Sequence, residues 1–101
     1  IHVFYATNLI SYTPFGTVWD NQNVDPTGTI DVPVDGYIFA CHKAPAAATT
    51  TWTGVNESVD DTSITCSAGF KYYPNGVTGQ TVTADSTSGS ASQILAGISM
   101  G

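Results

Sequence analysis

The stretch Thr29-Ile-Asp-Val-Pro-Val-Asp-Gly-Tyr-Ile-Phe-Ala-Cys-His42 decides the fold class of this chain. Its first half alternates, with Ile30, Val32 and Val34 on one side and Thr29, Asp31 and Pro33 on the other. That two-residue period is the signature of a half-buried strand. Pro33 has no N–H to give to a ladder, which places the strand at a sheet edge. Asp35-Gly36 then reads as a hairpin-type turn. Tyr37 to His42 follows and is apolar on both faces, the pattern of a central strand covered on both sides or in contact with a partner chain.

Similar short runs flank this stretch. Towards the N-terminus, Ile1 to Thr7 reads as a strand, and Thr17-Val18-Trp19 as a second short one. Asp25-Pro26-Thr27-Gly28 is a turn signal. Towards the C-terminus, Lys43 to Thr51 reads as a Pro/Ala loop, Trp52 to Val55 as a strand, and the acidic run Asn56 to Asp61 as a loop. Ser63 to Tyr73 alternates longest, with Ile64, Cys66, Ala68, Phe70 and Tyr72 facing one way and Thr65, Ser67, Gly69, Lys71 and Tyr73 the other. Pro74-Asn75-Gly76 is a turn and Gln80 to Asp85 a Thr-Val-Thr strand. From Ala91 to Met100, a strand would align Ile94, Ala96, Ile98 and Met100, and a helix would cluster Ile94, Leu95 and Ile98. Gly97 and the all-β surroundings decide for strand.

Seven or eight short strands with turns between them predict an all-β fold, a two-sheet antiparallel β-sandwich of jelly-roll or Ig-like kind. The expected core is Ile64, Cys66, Phe70, Ile94 and Ile98, with Phe39 buried between the sheets and Trp52 and Tyr72 filling it. With 101 residues the chain makes one domain, residues 1–101.

Composition bounds the function. Charged residues are 10% and hydrophobic residues 42%, while the chain holds 15 Thr and 9 Ser. This is too apolar for a disordered chain. The net charge is −6 with only Lys43 and Lys71 as fixed cations, so nucleic acid and anionic membranes are not expected partners. No apolar run reaches the ~20 residues of a spanning helix, and the expectation is a soluble protein. Its start, Ile1-His2-Val3 without Met, reads as processed.

Cys41 and Cys66 are the candidates for one disulfide in an oxidising compartment, and for buried thiols in a reducing one. A zinc site from Cys41, His42, Cys66 and His2 fails because adjacent strand residues face opposite ways and no CxxC or HxxxH spacing exists. Glu57, Asp60 and Asp61 lack EF-hand spacing and read as solvated. No Gly-x-Ser-x-Gly elbow frames a nucleophile. No enzyme, cofactor or metal is therefore expected. Trp19, Trp52 and Tyr73 are the aromatic candidates for stacking on sugar or anchoring an interface.

From Thr29 to His42, then Trp52, the Ser/Thr/Cys strand to Tyr72-Tyr73, Thr81-Val82-Thr83 and Ile94 to Ile98, the order of elements resembles the small β-sandwich modules of tailed-phage structural proteins and some bacterial surface proteins. The resemblance covers about residues 28 to 101 and implies a non-catalytic virion or surface role. The resulting expectation is a virion structural protein, a bacteriophage decoration (cement) protein, whose partners are other structural subunits or copies of itself in a homo-oligomer. The rivals are a secreted carbohydrate-binding module and a subunit of an extracellular filament or phage tail.

Overall fold

A computed structural model describes residues 9, 11, 13–22, 25–45, 48–61, 63, 65–87 and 93–101. Among them eight strands form: β1 Gly16–Gln22, β2 Thr27–Val32, β3 Gly36–Lys43, β4 Thr50–Thr53, β5 Asn56–Asp61, β6 Cys66–Tyr73, β7 Val77–Ser86 and β8 Gln93–Met100. The protein is all-β. Two antiparallel sheets, β1-β8-β3-β6-β5 and β2-β7-β4, pack as a sandwich. The chain changes sheet at every connection from β1 to β5, and β8 and β7 return between their earlier neighbours. This is the wrapping order of a jelly roll, with β5 carried to the edge of the larger sheet.

The decisive stretch lands as its pattern predicts. β3 is the central strand of the five-stranded sheet, β2 lies at the edge of the three-stranded one, and Pro33 directly follows it. Asp35-Gly36, however, joins strands of different sheets, so it is a crossing between layers instead of a hairpin. The amide of Gly36 donates to the Pro33 carbonyl at 3.0 Å and Asp35 takes φ 55°. The run Asn56 to Asp61, expected as a loop, is strand β5, because it has β6 to pair with from Asn56↔Phe70 to Asp61↔Cys66. The predicted strand Ile1 to Thr7 lies outside the described residues.

Val18, Ile30, Val32, Ile38, Ala40, Val55, Tyr73, Val82, Ala84 and Leu95 make the core between the sheets. The expected core is corrected in most of its members. Cys66, Phe70, Ile94 and Ile98 occupy the opposite phase of their strands from the buried residues, on the outer face of the five-stranded sheet. Phe39 shares that face, its neighbour Ile38 being the one fully buried. Tyr72, also expected inside, is 45% exposed. Ile64 lies outside the described residues.

The cause of this inversion sits at Gly69. A Cβ there would lie 2.6 Å from the Asn56 carbonyl oxygen and 2.9 Å from Val55 Cγ2. The chain crosses from one sheet to the other at Gly54-Val55 and covers the inner face of β6, and only small residues, Ser67 and Gly69, fit beneath it. The bulky alternation of β6 is left to point outward.

Candidate functional site

Antiparallel register fixes what stands on the outer face of the five-stranded sheet. Across the strands, Met100, Tyr37 and Tyr72 form one row, and Thr17, Ile98, Phe39, Phe70 and Asn56 the next. Trp19, Ala96, Cys41, Ala68 and Val59 form a third row, and Asn21, Ile94, Lys43, Cys66 and Asp61 a fourth. The first two rows are bulky and stand up as a ridge. Tyr37 and Tyr72 ring centres are 4.9 Å apart, Tyr37 and Phe39 5.9 Å, and Phe39 and Phe70 6.5 Å. The third row has small side chains at its middle, so a trough of about 660 Å³ runs beside the ridge, floored by Cys41, Ala68 and Ala96.

Trp19, one of the predicted aromatics, stands on the edge strand β1 next to Ala96 in the third row and is 73% exposed. Phe70 at 43% and Ile94 at 47% are exposed with it. The other two predicted aromatics are turned inward. Tyr73 is buried, and its hydroxyl donates to the Gly54 carbonyl at 2.5 Å, with Lys71 Nζ 5.1 Å from the ring centre. Burial pushes its phenol pKa up. Trp52 packs against the core and donates from Nε1 to Ser67 Oγ at 2.8 Å. Neither side chain is presented to a ligand on the outer face.

Cys41 and Cys66 share the outer face as free thiols. Cys41 stands opposite Ala68 and Cys66 opposite Lys43, so the two are diagonal across β3 and β6 instead of paired. Loss of hydration pushes the Cys41 thiol pKa up, and the neighbouring Cys66 adds to it. A thiol held protonated is a weak nucleophile and behaves as a small apolar group.

Carboxylates lie at the margin of this face. Asp61 ends the fourth row beside Cys66, and Asp35, in the turn, accepts from the Tyr72 hydroxyl at 2.6 Å. That bond, first, and desolvation second, raise the Tyr72 pKa. The other outer face of the sandwich contrasts with this one. Thr29 stands opposite Thr81, and Thr27 and Thr53 flank Thr83, all on the solvent side of the three-stranded sheet. Thr27 and Thr83 hydroxyls meet at 2.7 Å.

A polar cluster that sequence reasoning missed lies between the sheets. His42 is 2% exposed, with Nε2 2.9 Å from Gln93 Oε1 and Nδ1 3.1 Å from Thr50 Oγ1. The Gln93 oxygen only accepts, so Nε2 carries the proton and the Thr50 hydroxyl donates to Nδ1. Thr50 N donates in turn to Asp60 Oδ2 at 3.0 Å, and Trp52 meets the imidazole edge-on at 6.3 Å. Burial lowers the His42 pKa, the Gln93 bond and the Asp60 and Asp25 charges opposing it and Lys43 reinforcing it. Nε2 of Gln93 is buried with no partner among the described residues. The signal was present in the last strand, where Gln93 falls in the buried phase with Leu95. The cluster ties β3, β4, β5 and β8 together at one end of the sandwich.

Among the described residues no group of three or more His, Cys, Asp or Glu side chains is placed to hold a metal ion, and no helix is long and apolar enough to cross a membrane. The chain matches no protein-family model, no curated protein and no solved structure.

Proposed function

We propose that this protein is a non-enzymatic structural subunit of a virion, a bacteriophage decoration (cement) protein that works by association with neighbouring subunits. The observation that supports this is the difference between the two outer faces. One carries threonines suited to water; the other carries Trp19, Tyr37, Phe39, Phe70, Tyr72, Ile94 and Ile98 with charge confined to its margin. Charged residues are depleted and aromatics enriched at the centres of protein interfaces. Patches of this kind, rimmed by polar residues, mark sites of association. Cosedimentation of the purified chain with undecorated phage capsids tests the reading: saturable binding at a fixed number of copies per capsid is expected, and a chain that stays in the supernatant refutes the decoration role.

A second reading, a secreted carbohydrate-binding module, is favoured by one observation, the 73% exposure of Trp19 beside an open trough. Aromatic faces stack on apolar surfaces of sugar rings. Binding on a glycan array, lost in Trp19→Ala without loss of fold, would establish that reading in place of the first.

A further inference from the structure

We propose that the outer face of the five-stranded sheet is a self-association interface, covered by the same face of a second copy of this chain. The inference rests on the assembly reading above and names its partner. Three observations carry it.

The first is size. Five strands at about 4.8 Å spacing and eight residues at about 3.3 Å each give a face of roughly 24 by 26 Å, or about 600 Å² in projection before the relief of the side chains is added. A standard interface buries about 800 Å² per partner. One sheet face therefore supplies what a stable contact between two copies needs, with no further surface.

The second is shape. A two-fold axis running across the strands, between the Phe39 row and the Cys41 row, sets the ridge of each copy against the trough of the other. Phe39 and Phe70 of one copy then cover the small floor of Cys41, Ala68 and Ala96 in its partner, and the reciprocal contact forms by symmetry. An isologous interface requires such self-complementarity of one patch. Val59, on the edge strand β5, bounds the trough at one end.

The third is charge. Two copies of a chain with net charge −6 repel each other over most of their surfaces. The outer sheet face is where they meet with the fewest carboxylates, because its three central strands carry no acidic side chain there and Asp61, which lines the trough together with Lys43, lies on the edge strand β5. Lys43 and Asp61 stand in the same outermost row, away from the ridge.

Sedimentation of the full chain from low micromolar to about 100 µM tests the proposal, since interfaces of this area span micromolar to picomolar affinity. The expected species is a dimer, with twice the 10.5 kDa mass of the chain. Ala96→Arg, on the trough floor, is expected to weaken association on the order of a hundredfold, the scale of a central interface residue. Thr29→Arg, on the threonine face, is expected to leave it unchanged. Should the Ala96 variant fail to fold, the wild-type chain supplies a second readout: the Cys41 thiol should react with a bulky disulfide reagent more slowly as protein concentration rises.

A monomer at the highest concentration, or an oligomer indifferent to Ala96→Arg with Cys41 reactivity independent of concentration, overturns the proposal. In a monomer, binding of a hydrophobic dye would assign the face to a different protein. Failure here is separable from failure of the virion reading. A monomer can still cosediment with capsids, and an oligomer can fail to.

Discussion

His42 Nε2 lies 2.9 Å from Gln93 Oε1, joining the central strand β3 to the last strand β8 inside the sandwich. Burial lowers the imidazole pKa in the folded chain, while the unfolded chain titrates near the ordinary value of about 6.5. Below that value the unfolded state binds more protons, so stability is full at neutral pH and falls as pH drops through about 6.5 towards the lower folded value. Thermal midpoints at neutral and at mildly acidic pH check this. The wild-type midpoint is expected to drop, and His42→Gln to flatten the dependence in that window. Equal wild-type midpoints would show that His42 titrates normally.

Ile38 and Phe39 are neighbours on one strand and face opposite ways, the first into the core and the second onto the outer sheet face. Ile38→Ala leaves a cavity and is expected to cost about 2 to 5 kcal/mol. Phe39→Ala, made on a half-buried side chain that leaves no enclosed cavity, should cost less in the dilute chain, about 1 to 2 kcal/mol. Urea unfolding at the lowest workable concentration measures both. A Phe39 loss as large as the Ile38 loss would place Phe39 in the core.

This pair also shows how far the sequence could be read. The Tyr37 to His42 run identified β3 as central because neither of its faces is polar. That same property hides which face meets the other sheet. On β6 the clue misled outright: Cys66, Ala68, Phe70 and Tyr72 form the more apolar set, yet the inner set is Ser67, Gly69, Lys71 and Tyr73. Periodicity sorts side chains into two faces. Which face is inside depends on where the chain crosses between sheets, here at Gly54-Val55, and that is a property of topology. The same limit hid the candidate site, since an outward apolar face and a core face have one sequence pattern. Exposed Trp19 and inward-turned Trp52 and Tyr73 were not separable in sequence, because the contacts of the latter two with Ser67 and Gly54 come from strands distant in sequence.

Gly54 supports that crossing with φ +85°, and a Cβ there would run into the Thr81 carbonyl oxygen. Gly79 has φ +67° and nothing within 4 Å of the same position. Both substitutions to alanine incur the left-handed penalty of about 1 to 2 kcal/mol. Gly54→Ala adds a backbone clash and disturbs the carbonyl that receives the Tyr73 hydroxyl, so it should exceed Gly79→Ala by at least about 1 kcal/mol. Matched chemical denaturation curves check the ranking, and equal losses would remove the crossing at Gly54 as a rigid point of the fold.

Trp19 and Trp52 are the two tryptophans of the chain and sit in opposite environments, the first 73% exposed on the edge strand of the outer face and the second packed against the core. Trp52→Phe therefore leaves a fluorophore that reports on the outer sheet face alone. In dilute solution its emission should be that of a water-exposed indole, open to quenching by acrylamide, a neutral quencher that the acidic chain does not repel. As concentration rises and a second copy covers the face, emission should shift to the blue and quenching should fall, with the same midpoint as the sedimentation isotherm. Trp19→Phe should show neither change, because Trp52 stays between the sheets in either state. If the Trp19 signal stays constant while mass increases, the copies meet on some other surface.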